Sequence, residues 1–417
     1  MRVLHVSSAD ISGGAARAAY RLHRALLGQG VESNMEVRNR KSSDPSVSGA
    51  ASMPGKMGNL LRPILGSLIV HLQKPDSMNW RSGNWLPSDW SGICNASDAE
   101  VVNLHWVGDE TLSIADIGRI RKPLVWTLHD MWPFCGMEHY TGDGADARWR
   151  EGYRVSNRPA WSGGLDLDRL TWQRKLKYWR QPMHIVAPSR WLADCARASA
   201  LFRDWPVSVI PNTLDTETYQ PQGRGISRQA LGLPQDHRVV LFGAIGGARD
   251  PRKGYDLLAD ALWKLAREAR MQNVLCVVLG QNEPDDAIEL PFPVRWMGHV
   301  QDDAALTALY SAADVTVVPS RQDNLPQAAT ESQACGTPVV AFNVGGLPDA
   351  VEHGATGYLA EPDSTDDLAK GMFWVLEDAG RHARLCQAAR LRALKHWAPE
   401  VVAPQYLAVY ESISGQA

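Results

Sequence analysis

The sequence predicts an α/β protein built as two halves, each a doubly wound parallel sheet. Three observations predict it. At 417 residues the chain exceeds what one hydrophobic core holds, so two domains of roughly 200 residues each are expected. Short apolar runs alternate with helix-length amphipathic stretches through both halves, at the pace of strand–helix–strand units. Several of those runs lead into glycine-bearing loops that open helices: Gly13 and Gly14 after the first run, Gly243 early in the second half, Gly345 and Gly346 near its end. Residues without side chains there let the backbone approach a phosphate.

In chain order, residues 3–6 form the first strand, 15–27 an alanine-rich helix, 31–37 the second strand and 38–55 a polar loop. Residues 57–72, MGNLLRPILGSLIVHL, read as one helix kinked at Pro63 or two short ones. Two readings of this segment stay open: a core helix, or an exposed apolar face at a membrane interface with Lys56, Arg62 and Lys74 near its edges. Strands follow at 101–106 and 124–129 with a helix at 114–120 between them. The later strand runs into His129, Asp130, Met131 and Trp132, so the histidine stands at a strand's carboxyl end, where open α/β sheets bind ligands. Residues 133–164 show no periodicity, and a loop that long is commonly functional or mobile. Strands at 184–187 and 207–210 close the first half, and the turn-rich stretch from Pro211 to Gly225 marks the boundary. The expected domains are 1–211 and 212–396, with 397–417 as a terminal segment.

The second half restarts with a strand at 239–242, a glycine-containing loop at 243–250, and Pro251, Arg252, Lys253 and Gly254 leading into a helix. Cations at a helix start oppose its dipole unless they share an anion, and a diphosphate resolves that conflict. Strands at 274–279 and 294–297 and a helix at 302–312 precede the most informative stretch, residues 314–349. There, a strand at 315–318 is followed by a polar loop, a helix opening at Pro326 and stopping at Gly336, a strand at 339–342, and a second helix opened by Gly345, Gly346 and Pro348. Two helix N-termini at one sheet edge make an anion site. Asp323 in the loop and Glu331 on the helix accompany it, and carboxylates beside a phosphate site suit hydroxyl groups. Three helices close the chain.

Composition sets bounds. A hydrophobic content of 44%, a charged content of 21% and a formal net charge of −3 describe an ordinary soluble protein and give no electrostatic case for nucleic acid. Six scattered cysteines without a C-x-x-C pair read as reduced thiols of a cytosolic protein. The N-terminus enters a strand at once, without a secretory signal, and no apolar run reaches the about 18 residues of a membrane span. A cytoplasmic protein is expected, with peripheral contact at the inner face of the membrane as the further reading. Most of the 16 tryptophans should be core or interface residues, although flat aromatic faces also serve sugars.

The stretch 314–349 resembles the donor site of the family-4 retaining glycosyltransferases, which have the GT-B fold, and is similar to bacterial exopolysaccharide and colanic-acid-type members. An acidic residue, seven intervening residues and a glutamate (Asp323, Glu331), the run from Ala334 to Ala341 (ACGTPVVA), and the glycine pair Gly345 and Gly346 carry the resemblance. It is strongest over 211–360 and weaker over 1–30 and 123–140. The sequence departs from the family at Asp323, where glutamate is commoner, and at Ala244, where an arginine often stands, so Arg249 or Arg252 takes both tasks.

The resemblance implies two Rossmann-like domains facing each other across a cleft, with the last helix crossing back to the first domain. It implies a nucleotide diphosphate sugar as donor substrate, no further cofactor, and a glycan or lipid-linked acceptor; the long segment 133–164, read from its length as functional, is the expected acceptor loop. Glu331 would hold the ribose hydroxyls, Asp323 with Asn324 and Leu325 the donor sugar, and Arg252 and Lys253 the diphosphate without a metal. Val300 would lie near the nucleobase, Gly13 and Gly14 near the phosphates, and His129 next to the sugar. With His129, Asp323 and Lys253 as the catalytic set, the departing phosphate accepts the acceptor's proton. Asp166 and Asp168 imitate the D-x-D of metal-dependent enzymes but read better as helix-capping acids. Two other classes share these features: a GT-B sugar-nucleotide epimerase, and a non-catalytic nucleotide-sugar-binding protein.

Overall fold

The computed structural model describes residues 1–49, 53–74, 80–243, 250–284, 287–300 and 302–415. The chain divides into two compact units, Met1–Thr213 with Val402–Ala417, and Leu214–Val401.

The first unit is built on seven strands: β1 (Arg2–Ala9), β2 (Glu32–Asn39), β3 (Val47–Gly49), β4 (Val101–Leu104), β5 (Leu124–Thr127), β6 (His184–Ala187) and β7 (Val207–Val209). They lie in the order β3-β2-β1-β4-β5-β6-β7, every neighbouring pair parallel. Successive side chains point to opposite faces and both faces are covered, so the central strands read as continuous apolar runs. Leu4, Val102, Leu104 and Trp126 pack on one face with Ile114, Trp132, Phe134 and Trp179. Val3, Val101, Val125 and Val186 pack on the other with Leu22, Leu26, Val402, Tyr406 and Tyr410. The last three come from the terminal helix, Pro399–Ser414, where Tyr410 accepts a hydrogen bond from Asn103 at 2.7 Å. Strand order reverses between β1 and β4, the place where this architecture binds ligands.

Four expectations in this unit are corrected. The polar loop expected at 38–55 contains strand β3; three residues are too few to show a period, and Val47 is buried against Ala19, Met35 and Val37. Residues 57–72 are neither two helices nor a core helix. One helix, Met53–Val70, runs through Pro63 and exposes Leu60, Leu61, Ile64, Leu65 and Leu68, from 48% to 70%. Arg62 turns this stripe outward by donating to the carbonyls of Glu110, Leu86 and Pro87. Residues 133–164 are anchored rather than loose: Phe134, Cys135, Trp149 and Tyr153 are buried in the core. Lys175, fully buried, donates to the carbonyls of Cys135 at 3.0 Å, Gly136 at 2.9 Å and Trp132. Of the two acids expected to cap a helix, only Asp166 does so, accepting from the Arg169 N–H at 3.1 Å. Asp168 is instead a buried ion-pair partner of Arg81 at 2.7 Å.

The second unit carries β8 (Arg238–Gly243), β9 (Val274–Leu279), β10 (Val294–Trp296), β11 (Val315–Val318), β12 (Val339–Phe342) and β13 (Gly357–Ala360). Their order is β10-β9-β8-β11-β12-β13, all parallel, reversing between β8 and β11. Pro326 caps the helix Gln327–Ala334 in an extended conformation rather than standing in its first turn. The helix opened by Gly345 and Gly346 is a single turn, Leu347–Ala350. Among the described residues no helix is long and apolar enough to cross a membrane.

Candidate active site

Asp323 stands in the loop that follows β11 and is 6% exposed. A carboxylate so removed from water requires partners. Lys253 donates to its Oδ2 at 2.6 Å, Ser320 donates to the same oxygen at 3.2 Å, and the Asn324 N–H donates to Oδ1 at 3.1 Å. The Arg252 guanidinium lies 3.8 Å from Oδ1 and is fastened by Asp250 at 3.0 Å and the Gln322 carbonyl at 3.1 Å. Burial alone would raise the Asp323 pKa; the charges of Lys253 and Arg252 outweigh it and hold the carboxyl below its usual range.

Two glycines permit this convergence. At Gly254, with φ +67°, a Cβ would fall 2.0 Å from the Pro319 carbonyl oxygen. At Gly345, with φ +54°, it would fall 2.3 Å from the Asp323 carbonyl oxygen, which accepts from the Gly346 N–H at 2.9 Å. Loops following β8, β11 and β12 thus meet at backbone contact distance.

Glu331 lies in the helix Gln327–Ala334, 4% exposed, and accepts from the Tyr310 hydroxyl at 3.0 Å. Neither Asp323 nor Glu331 is a solvating surface acid. Asn324 and Leu325 are buried, and Val300 is half-buried against the cluster containing Leu306 and Leu309. Ala244 and Arg249 lie outside the described residues.

Gly13, Gly14 and His129 belong to the first unit. Gly13 precedes the helix Gly14–Gly28 and both glycines are exposed. Asp10 fixes the approach to them, accepting from the N–H groups of Ile11 at 2.8 Å, Lys41 at 3.1 Å and Ser42 at 2.7 Å. Burial would raise the Asp10 pKa, but these donors keep it low. His129 Nε2 is 3.1 Å from His105 Nδ1, and His105 Nε2 is 2.9 Å from His5 Nδ1. The three rings form a chain from β1 across the end of β4 to the end of β5. Burial takes His129 down to about 4, against the pull of Asp130, and takes His5 and His105 well below their usual range. His129 is therefore a neutral ring near pH 7. Alongside, Asp130 Oδ2 receives Trp106 Nε1 at 2.7 Å and lies 2.6 Å from His139 Nδ1. Sequence reasoning missed His5 and His105; the available signal was two successive strands, β4 and β5, each running into a histidine.

Residues 12–218 match the family described as Glycosyltransferase Family 4, and residues 224–392 match the family described as Glycosyl transferases group 1. The chain belongs to these glycosyltransferase families. Among its relatives is a D-inositol 3-phosphate glycosyltransferase of Rhodococcus jostii, 34% identical over 194 residues, or 44% of this chain and 42% of that protein. Another of the same name, from Mycobacterium bovis, is 32% identical over 222 residues, 50% of this chain and 44% of that protein. The matched segments thus span less than half the length of these relatives. Two solved structures share the fold. The sucrose-phosphate synthase of Thermosynechococcus elongatus superposes with a TM-score of 0.68 at 18% identity over all of both chains. The Anabaena protein HepE, in complex with UDP and glucose, does so with 0.65 at 18% identity over 99% of this chain and 100% of that one. The fold of the chain is accordingly GT-B, with two Rossmann-like parallel-sheet domains.

The buried histidines make stability depend on pH. Folded-state values of about 4 for His23 and His129 lie below the unfolded value of about 6.5. Between those limits the unfolded chain binds more protons, so stability falls as pH falls from about 6.5 toward 4 and is insensitive to these groups above it. Thermal unfolding followed from pH 8 to 4 should show this, with a shallower fall in His129→Gln; an NMR titration placing the His129 midpoint near 6.5 would reject it.

Proposed function

We propose that the chain transfers a sugar from a nucleoside-diphosphate sugar to an acceptor hydroxyl, with retention of anomeric configuration and without a metal ion or further cofactor. The supporting observation is the buried Asp323 carboxylate clasped by Lys253 and Arg252 at the strand-order reversal, in a chain whose halves match the two glycosyltransferase families. Two cations face the Asp323 and Asp250 carboxylates there. A diphosphate competes with Asp323 for Lys253 and frees Oδ2 to accept from the donor-sugar hydroxyls. Glu331 takes the ribose, Val300 lies toward the nucleobase, and Asn324 and Leu325 line the sugar. Gly13, Gly14 and His129 keep the roles implied by the resemblance, toward the phosphates and the sugar. The acceptor oxygen bonds to the anomeric carbon on the face the diphosphate leaves, the carbon–phosphate-oxygen bond breaks, and the acceptor's proton passes to the departing phosphate. Positive charge preorganised around the leaving group supplies the stabilisation. UDP, which HepE binds in its complex, is the first nucleotide to test.

The acceptor is proposed to be a lipid-linked glycan in polysaccharide assembly, reached from the cytoplasmic face of the membrane. The apolar stripe on Met53–Val70 supports this, as does a segment 53–74 that holds Lys56 and Lys74 but no aspartate or glutamate.

Glu331→Ala should weaken nucleoside-diphosphate binding by about tenfold or more, since a hydrogen bond to a charged group is lost. Asp323→Ala should not weaken that binding, since it removes the carboxylate that competes for Lys253, and should lower kcat by about a hundredfold, because its contacts orient the reacting carbon. Calorimetry and turnover with a nucleotide-sugar panel decide this, with product anomer read by NMR; equal effects of the two variants would sink the assignment. Turnover without any acceptor would indicate an epimerase, and binding without turnover a binding protein.

Chelator should leave turnover largely unchanged. Complete loss restored by Mg²⁺ or Mn²⁺ would show that the cationic pair does not replace a metal.

The chain should sediment with phosphatidylglycerol vesicles, and the triple variant Leu60→Glu, Ile64→Glu, Leu68→Glu should not. Equal sedimentation of both proteins, or a wild-type dimer in light scattering that the variant abolishes, would remove the membrane assignment.

A further inference from the structure

The anchored segment 133–164 forms most of a cavity of about 610 Å³ in the first unit, within the range of about 300–1,000 Å³ that small-molecule sites occupy. We propose that this cavity is the acceptor site of the sugar-transfer reaction and takes a neutral saccharide unit stacked on Trp161. The proposal rests on the sugar-transfer reading and adds to it the place and chemistry of the acceptor.

Three features of the wall select that ligand. Trp161 is 54% exposed, a flat apolar surface suited to the C–H face of a pyranose. Two polar atoms in the wall are buried without a partner, the Nε of Arg81 and the Oγ of Ser162. Such orphans among the described residues are uncommon and call for an explanation, and a ligand hydroxyl reached by a small side-chain shift would supply one. Beside them Glu138 accepts from the Tyr153 hydroxyl at 3.2 Å. Burial, and then the charge of Asp168, raise the Glu138 pKa against the pull of Arg81, so its carboxyl is suited to sharing protons with hydroxyls.

The charge arrangement argues against a phosphorylated ligand. Both guanidinium groups of the wall already hold carboxylates: Arg81 pairs with Asp168 at 2.7 Å and Arg148 with Asp166 at 2.8 Å. Neither cation remains uncompensated for a phosphate, whereas a neutral polyol needs none. Tyr140 ties the cavity to the candidate active site, since it lines the wall and its hydroxyl donates to the His129 carbonyl at 3.3 Å.

The test is saturation-transfer NMR on the full chain with methyl glucoside, methyl mannoside, methyl N-acetylglucosaminide, inositol 1-phosphate and UDP, each added separately. At least one neutral glycoside should bind, with affinity reduced by about tenfold in Trp161→Ala and in Ser162→Ala and with UDP binding unchanged in both. The exposed position of Trp161 and the small change at Ser162 give two variants with independent chances of folding. No neutral glycoside bound, binding indifferent to both substitutions, or preference for inositol 1-phosphate would each overturn the proposal. UDP reports on the sugar-transfer reading by itself: if wild type binds UDP but no glycoside, only the acceptor assignment falls.

Discussion

A carboxylate buried at the edge of a parallel sheet is the constraint around which the second unit is arranged. Asp323 retains its charge only because Lys253 reaches it at 2.6 Å and Arg252 stands behind, and removing one member of such a pair typically costs about 3–5 kcal/mol. That requirement reaches into the backbone. Lys253 precedes Gly254 and Asp323 touches Gly345, and at both glycines the neighbouring carbonyl occupies the space a side chain would need. Loops from three strands are therefore pinned together before any ligand arrives, which is the preorganisation that charge stabilisation in a transition state demands.

The first unit meets the same difficulty, polar groups out of water at strand ends, by different means. Its histidines give up their charge: His5, His105 and His129 are linked ring to ring as neutral imidazoles. Asp130 keeps its charge by holding Trp106 and His139. Behind them, the buried amino group of Lys175 gathers carbonyls of the 132–136 turn, which fixes the start of the 133–164 segment.

Much of this was legible in advance, and unevenly. Strands β9, β11 and β12 follow from continuous apolar runs bounded by turns, and Gly336, with φ +74°, ends its helix as expected of a glycine after a C-terminus. Strand β3 was not legible because three residues carry no period. The length of 133–164 suggested looseness, while its aromatic residues, distributed without periodicity, proved to be what anchors it. Asp323 and Glu331 stood out through their spacing and neighbours. His5 did not, since a histidine within a strand looks like any packed residue until its neighbour across the sheet is known, and His105 showed only as the residue that a strand runs into.

The amino-acid sequence by itself determined the class of fold, its two-part organisation and the candidate donor-site residues, because periodicity, turn chemistry and motif spacing are written within a few tens of residues. Tertiary structure decided what those residues hold. Lys253 and Asp323 are 70 positions apart, and Asn103 and Tyr410 are 307 apart. Such pairs form only once strand order makes neighbours of distant segments. The same holds for the exposed stripe of Met53–Val70: its apolar period is local, but which way it faces depends on Arg62 finding carbonyls at Leu86, Pro87 and Glu110. Local sequence specifies conformation, whereas the pairing of buried charges depends on which chain segments burial brings together.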